Sequence, residues 1–326
     1  MLLARLVLLA LAPHVRGLSI SGSLRSVRPL WASATHALHH VFEAPGARLN
    51  SAQLEELSNA AIPSSEAGRD VLAFVARPAN PPARPLPILV MIHEFFGLSD
   101  SIASKAQLLA DELDCFVVAP DTFRGITTSF IPQAIWLALT TPQARVNADL
   151  EDVITWAGKQ SGVDGKRVAV MGFCYGGGKA IRYTTEVRPT AATVIYYGSP
   201  LMDSQVLAKL RAPVCAVYGT QDAQFPQRTV DGFKAALEEA DVEHEVVSYY
   251  GVGHAFWTDV AQIEDEQMPQ IAAYRLTTNF LRNFYSGQES FAAKRAFLEF
   301  QLAQQQATAA APEGDGREWE EDELDE

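Results

Sequence analysis

The sequence predicts an α/β fold in which helices cover both faces of a mostly parallel central sheet. From about residue 68, short apolar runs alternate with helix-length amphipathic segments. Several of these runs are apolar at nearly every position, as expected of strands that are buried on both faces. Hydrophobic residues make up 48% of the 326 residues and charged residues 20%, which is enough apolar material for a sizeable core.

The strands are predicted from the apolar runs. The run LPILVMIHE over residues 86–94 and the run CFVVAPD over 115–121 are typical of buried parallel strands. The predicted strands cover residues 70–77, 86–94, 115–121, 167–173, 191–198, 212–219 and 244–250.

The helices are predicted between these strands. Ser99 and Asp100 are residue types that cap a helix start, and residues 145–160 carry apolar side chains at helical spacing. The predicted helices cover residues 101–113, 145–160, a segment from Gly176, 227–240, 264–285 and 290–306. Together with the strands, they predict one α/β domain over residues 43–288.

The two ends of the chain have compositions of their own. Residues 1–42 contain arginines but no acid, with a short apolar run typical of a secretory signal followed by a Ser- and Arg-rich stretch typical of a transit peptide. We therefore expect a cleaved targeting presequence over 1–42; a plastid is favoured, with a mitochondrion or secretion as alternatives. Residues 289–326 are predicted to form a helix and then an acidic, disordered tail, either an interaction tail or a solubilising one.

Composition argues against several classes of function. A net charge of −13 makes binding to nucleic acid through phosphate neutralisation a poor fit. Three scattered cysteines predict neither a disulfide framework nor a zinc cluster, and no metal site is expected. No apolar run approaches the roughly 18 residues that indicate a membrane span, so none is predicted.

The most specific local signal is the segment Gly172-Phe173-Cys174-Tyr175-Gly176-Gly177. It follows a predicted strand and begins a predicted helix, which is the context of a nucleophile elbow. Cys174 would be the nucleophile, beside a helix amino terminus that favours a thiolate. The alternative is a small buried cysteine in a tight turn.

Two later loops supply the partners that such a nucleophile needs. The α/β-hydrolase fold places the nucleophile, the acid and the histidine in that chain order. Asp222 follows the strand over 212–219, and His254 lies between small residues after the last strand. His254 can move a proton, and Asp222 can orient the imidazole and stabilise its charged form. Asp222 is otherwise a turn residue, and His93 is the other histidine in a comparable position.

The segment His93-Glu94-Phe95-Phe96-Gly97 follows the first strongly apolar strand. In this architecture the backbone N–H after that strand is an oxyanion donor. The two predicted oxyanion donors are therefore the backbone N–H groups of Phe95 and Tyr175. Glu94 is either a surface acid at a strand end or a charge directed at the thiol.

The segments HEFFG, Pro120-Asp121, GFCYGG, GTQD and GHAF, in this order, resemble the dienelactone hydrolase family, which includes carboxymethylenebutenolidases. The resemblance runs from about residue 68 to 285. It implies an α/β-hydrolase fold, a monomer without cofactor, and cleavage of a small-molecule ester or lactone. It also implies Cys174 as nucleophile, Asp222 and His254 as its partners, and Glu94 as the group that promotes ionisation of the thiol.

The chain departs from the family where dienelactone-cleaving members hold a substrate carboxylate with two arginines. The corresponding positions are Thr258 and, by spacing, the region of Ile131, and Ala255 replaces a serine. We therefore expect cleavage of an ester or lactone other than a dienelactone. Candidate pocket residues are Phe96, Trp257 and Arg124, the last a nearby base.

A different class of function is also compatible with these residues. A reactive thiol is readily oxidised, so the chain could be a non-catalytic or redox-sensing binding protein on the same fold. In that case replacing Asp222 by asparagine should leave the function intact.

Overall fold

A computed structural model of the chain describes residues 51–66, 68–126, 128 and 130–287. The predicted presequence (1–42) and the predicted C-terminal helix and tail (289–326) lie outside the described residues. The predictions on these segments therefore stay predictions. Within the described ranges, no helix is both long and apolar enough to span a membrane.

The described residues form a single eight-stranded sheet with helices packed against it. The strands are β1 (Ala60–Ile62), β2 (Val71–Ala76), β3 (Leu86–Ile92), β4 (Phe116–Pro120), β5 (Val163–Phe173), β6 (Ala192–Tyr196), β7 (Val214–Gly219) and β8 (His244–Tyr249). The helices are α1 (Ser51–Leu57), α2 (Asp100–Leu113), α3 (Ile131–Thr140), α4 (Gln143–Ala157), α5 (Tyr175–Glu186), α6 (Ser204–Leu207), α7 (Gln227–Glu239), α8 (Ala261–Glu264) and α9 (Gln270–Ser286).

The strand order is β1-β2-β4-β3-β5-β6-β7-β8. The pairs β1–β2 and β2–β4 are antiparallel, and every other neighbouring pair is parallel. The predicted mostly parallel α/β fold is therefore confirmed. All seven predicted strands are present, with ends that differ by a few residues.

The sheet is stable because its central strands are buried on both faces. Every residue of β3, β4 and β7 is buried. On one face, Ile88, Val90 and Ile92 pack in a core layer with apolar residues of α4 and α5. Further along the sheet, β6 and β7 pack in a second layer with α7. The continuous apolar runs in the sequence are the direct consequence of this two-sided burial.

The long helix predicted over 264–285 is wrong in one respect, because the chain forms two helices there. The short α8 ends at Glu264, and α9 begins at Gln270, directly after Pro269. Proline has no N–H to donate within a helix and disfavours helical geometry in the residue before it, so a helix cannot run through this position without distortion.

The order of the strands creates a site at the carboxyl end of the sheet. From β3 the chain crosses to β4 on one side and then returns to β5 on the other, which makes the β3–β5 boundary a topological switch point. Ile92 at the end of β3 pairs with Gly172 near the end of β5. The segments that follow these two strands therefore leave the sheet at the same level.

Candidate active site

Cys174 lies in the sharp turn between β5 and α5. Its backbone has φ 50° and ψ −110°, a strained conformation for a residue with a side chain. The turn depends on flanking glycines, since a Cβ on Gly172 would lie 2.1 Å from the backbone of Gly176. A Cβ on Gly176 would lie 2.3 Å from the Ile92 carbonyl oxygen. The close contact between strand and helix thus requires small residues on both sides of the cysteine.

The structure brings together the three side chains that the sequence nominated from separate segments. The Nε2 atom of His254 lies 3.1 Å from the Cys174 sulfur, and its Nδ1 atom lies 2.8 Å from Oδ2 of Asp222. The other carboxylate oxygen of Asp222 accepts hydrogen bonds from the N–H groups of Gln224 (2.8 Å) and Phe225 (3.1 Å). These two bonds fix the position of the carboxylate beside the imidazole.

Two neighbouring loops carry the aspartate and the histidine. Gly219 at the end of β7 pairs with Tyr249 at the end of β8, so both loops start at the same level. The Gln221 N–H donates to the Val252 carbonyl at 2.9 Å, which ties the loops together beyond the strands. The position of His254 relative to Asp222 is therefore set by backbone contacts as well as by side chains.

The electrostatics of the three groups favour a charged imidazole. Burial by itself lowers the pKa of His254, but the adjacent Cys174 sulfur and the Asp222 carboxylate outweigh it and raise the pKa to about 10. An imidazolium beside a cysteine stabilises the thiolate, which is the nucleophilic form. The arrangement can therefore hold a sulfur nucleophile and a proton donor in contact with each other.

Glu94 lies at the same end of the sheet, and its side-chain carboxylate accepts a hydrogen bond from Tyr197. The Tyr197 hydroxyl is 3.2 Å from Glu94 Oε1 and 3.2 Å from the Trp257 carbonyl oxygen. The predicted role of Glu94 in promoting ionisation of the thiol stays a prediction. Tyr197 was not identified from the sequence, although a tyrosine at the carboxyl end of a buried strand was an available signal.

Lys105 is a second residue near the site that was not identified from the sequence. It is 1% exposed, and its ammonium donates to Ser101 Oγ (2.9 Å) and to the Thr258 carbonyl oxygen (3.3 Å). Burial lowers its pKa, while the charges of Glu94 and Asp259 oppose that effect. A lysine on the apolar face of α2 was the available signal, because burying a charge requires partners.

The pocket residues proposed from the sequence occupy different environments. The ring centroids of Phe95 and Phe96 lie 4.1 Å apart, in the segment that follows β3. Trp257 is 1% exposed and packs against Phe173, so its indole belongs to the core. Arg124 forms an ion pair with the buried Asp149 and also donates to the Arg69 carbonyl at 2.7 Å. These contacts give Arg124 a structural role that the sequence did not indicate.

The other cysteines and the alternative histidine are buried. Cys115 and Cys215 are both fully buried, and burial raises the pKa of each thiol. His93, the alternative histidine, is also fully buried, and its described hydrogen bonds are with Glu94 and Thr122. Across residues 51–287, within the ranges that the structure describes, no group of three or more His, Cys, Asp or Glu could hold a metal ion.

Comparison with known proteins identifies a family and similar bacterial proteins. The model of the dienelactone hydrolase family matches residues 71–285. A protein of Salmonella typhimurium named "Putative carboxymethylenebutenolidase" is 33% identical over 212 residues, which is 61% of this chain and 77% of that protein. Its namesake in Escherichia coli (strain K12) is 32% identical, over 61% of this chain and 76% of that protein.

A solved structure gives the same result for the fold. The crystal structure titled "Putative Dienelactone Hydrolase" from Klebsiella pneumoniae superposes with a TM-score of 0.58 at 29% sequence identity. The match covers 68% of this chain and 95% of the Klebsiella chain. The α/β architecture described above is thus the fold of that chain over nearly its whole length.

Proposed function

This chain belongs to the dienelactone hydrolase family and is a hydrolase of carboxylic ester or lactone bonds, and we propose that it acts through a thiol acyl-enzyme formed on Cys174. The observation that carries the proposal is the chain of contacts from sulfur to imidazole to carboxylate. His254 lies 3.1 Å from the Cys174 sulfur and 2.8 Å from Asp222. This is the geometry of an activated nucleophile whose base is oriented by a third group.

In the acylation half, the Cys174 thiolate attacks the carbonyl carbon of the substrate. A C–S bond forms, and the π electrons of the carbonyl move to oxygen, where the N–H groups of Phe95 and Tyr175 receive the negative charge. The oxyanion then collapses and the C–O bond to the leaving group breaks. The His254 imidazolium donates its proton to the departing alkoxide, and Asp222 keeps the neutral ring in position.

In the deacylation half, the neutral His254 removes a proton from water while the water oxygen attacks the thioester carbonyl. A second tetrahedral oxyanion forms in the same hole. Its collapse breaks the C–S bond and returns the electron pair to sulfur as thiolate. The product is a carboxylic acid, and His254 is again an imidazolium beside the thiolate. For a lactone, the acid and the alcohol are released as one molecule.

We propose that the substrate has no carboxylate beside the scissile bond. Thr258 and the region of Ile131 occupy the positions where dienelactone-cleaving relatives carry arginines. Arg124, the basic residue nearest to Ile131 in the sequence, is engaged by Asp149. Without a bidentate clamp, an anionic substrate would gain little binding free energy here. Phe95 and Phe96 instead favour an apolar acyl or leaving group.

The test compares the hydrolysis of 4-nitrophenyl acetate and of an uncharged aryl lactone by the wild type, Cys174→Ala and Cys215→Ala. We expect Cys174→Ala to lower kcat by at least about a thousandfold, because a covalent mechanism has no substitute for its nucleophile. Cys215→Ala is the matched control, since it removes a thiol that is buried in β7. Equal rates in the wild type and Cys174→Ala would refute the mechanism.

A further inference from the structure

We propose that His93 is a positioning residue of the oxyanion hole, which holds the Glu94 carbonyl and thereby aims the N–H of Phe95 at the developing oxyanion. This inference rests on the proposed function, because the oxyanion in question belongs to acyl transfer on Cys174. His93 directly follows β3 and is fully buried. Its ring nitrogens point to two different segments of the site.

The hydrogen bonds of His93 identify which ring nitrogen carries the proton. The backbone N–H of Thr122 donates to Nε2 at 3.1 Å, so Nε2 is an acceptor. The Nδ1 atom lies 2.6 Å from the Glu94 carbonyl oxygen, which can only accept. The ring is therefore neutral, with its hydrogen on Nδ1. Burial agrees with this assignment, since it lowers the pKa of His93 to about 4.

The hydrogen bond from His93 controls a peptide unit that is central to the mechanism. The Glu94 carbonyl and the Phe95 N–H belong to the same planar trans peptide, so they point in opposite directions. The carbonyl oxygen accepts from His93 at 2.6 Å and from the Gly97 N–H at 3.1 Å. Fixing the carbonyl on one side of the chain therefore fixes the Phe95 N–H on the other side.

The other oxyanion donor is connected to the same buried network. The Thr122 hydroxyl lies 2.9 Å from His93 Nε2 and 3.2 Å from the Tyr175 hydroxyl. The Tyr175 ring also stacks on the imidazole, with ring centroids 5.8 Å apart and an interplanar angle of 18°. Tyr175 supplies the second N–H of the hole from the first turn of α5. His93 and Thr122 thus join the two segments whose N–H groups must converge on one oxygen.

Asparagine and glutamine at position 93 can separate this role from simple packing. The amide nitrogen of asparagine is as many bonds from Cα as Nδ1, so His93→Asn keeps a donor for the Glu94 carbonyl. The amide of glutamine is placed like Nε2, so His93→Gln keeps a partner for Thr122 but loses that donor. If His93 acts through packing alone, His93→Gln should acylate faster than His93→Asn, because glutamine fills more of the volume of the imidazole. If His93 has the proposed role, His93→Asn should acylate faster.

Two rates measured on each variant provide the test. Acylation by 4-nitrophenyl acetate in a single turnover needs the oxyanion hole, whereas alkylation of Cys174 by iodoacetamide needs only the thiolate. We expect His93→Gln to acylate about tenfold to a hundredfold more slowly than the wild type, less than the roughly hundredfold to thousandfold cost of losing a donor outright. Alkylation should stay within about twofold, and His93→Asn should acylate faster than His93→Gln.

Three results would overturn the inference. The first is an acylation rate of His93→Gln equal to that of the wild type. The second is a parallel loss of the acylation and alkylation rates in this variant. The third is faster acylation of His93→Gln than of His93→Asn. Should His93→Gln fail to fold, Thr122→Val removes the bridging hydroxyl and must still slow acylation without slowing alkylation. Failure of the wild type itself to form a Cys174 acyl-enzyme would instead refute the proposed function, and this inference with it.

Discussion

Gly176 offers the sharpest test of how the site is built, because it lies where α5 contacts β3. A Cβ at this position would lie 2.3 Å from the Ile92 carbonyl oxygen and 2.6 Å from the His93 carbonyl oxygen. Both neighbours are backbone atoms, which cannot rotate away. We therefore expect Gly176→Ala to push the first turn of α5 away from the end of β3.

The size of the effect follows from these distances. Ordinary van der Waals contact of a Cβ begins at about 3.4 Å, so roughly 1 Å must open between helix and strand. Overpacking of this kind costs about 1–3 kcal/mol of unfolding free energy. The same displacement separates Tyr175 from Phe95, and a misplacement of about 1 Å in an active site can cost about a hundredfold in rate.

The assay measures kcat/KM for 4-nitrophenyl acetate and the urea midpoint of each variant. Gly232→Ala is the matched control, because it makes the same substitution within another helix, α7. There a new Cβ meets only the terminal methyl of Met202, at 2.7 Å, on a flexible and half-exposed side chain. Since alanine favours a helix over glycine by up to about 1 kcal/mol, this variant should be as stable as the wild type or more so, with full activity.

Wild-type activity in Gly176→Ala would contradict the expected displacement of α5. An equal loss of activity in Gly232→Ala and Gly176→Ala would also contradict it, because the effect would then not come from the contact between strand and helix. A loss of stability in Gly176→Ala without loss of turnover would refute the link between this contact and the oxyanion hole.

Three further predictions concern charges. Asp222→Asn should lower kcat by about a hundredfold or more while the protein stays folded, because an amide cannot stabilise the imidazolium; a redox-sensing protein would show no such loss. Because the pKa of His254 is raised to about 10, kcat/KM should fall only above about pH 10, where the ring loses the proton for the leaving group. In Asp222→Asn this fall should move to lower pH, and an alkaline limb near pH 7 in the wild type would contradict the proposed ion pair. Arg124→Met should lower the unfolding free energy in urea by about 3 kcal/mol, since it leaves the buried Asp149 without its partner, and should leave KM for an uncharged ester unchanged.

The parts of the fold that could be predicted from sequence are those set by local composition. β3 and β4 are buried at every position, so their sequences are apolar throughout and identify them without other information. The turn around Cys174 was predictable for a similar reason. Its close contacts exclude side chains, and the glycines that satisfy this requirement are visible in the sequence.

The parts that were missed depend on contacts between distant residues or on weak patterns. β1 has three residues and exists by pairing with β2, as between Ile62 and Val71. α3 carries Trp136 and Leu139 on its exposed side, so it lacks the usual separation of apolar and polar faces. Arg124 appeared available for a ligand because its partner, Asp149, is 25 residues away along the chain. The charge of a residue does not reveal which group neutralises it.

The wide spacing of the site residues along the chain has a consequence for folding. Asp222 and His254 are 32 residues apart, and Cys174 and His254 are 80 residues apart. Each pair meets only when strands from separate parts of the chain have docked in register, and such non-local contacts form slowly. During refolding, the return of esterase turnover should therefore lag behind the return of helical circular dichroism. The rate at which enzymatic activity returns would then report on the docking of β8, the last strand within the part of the chain that the structure describes.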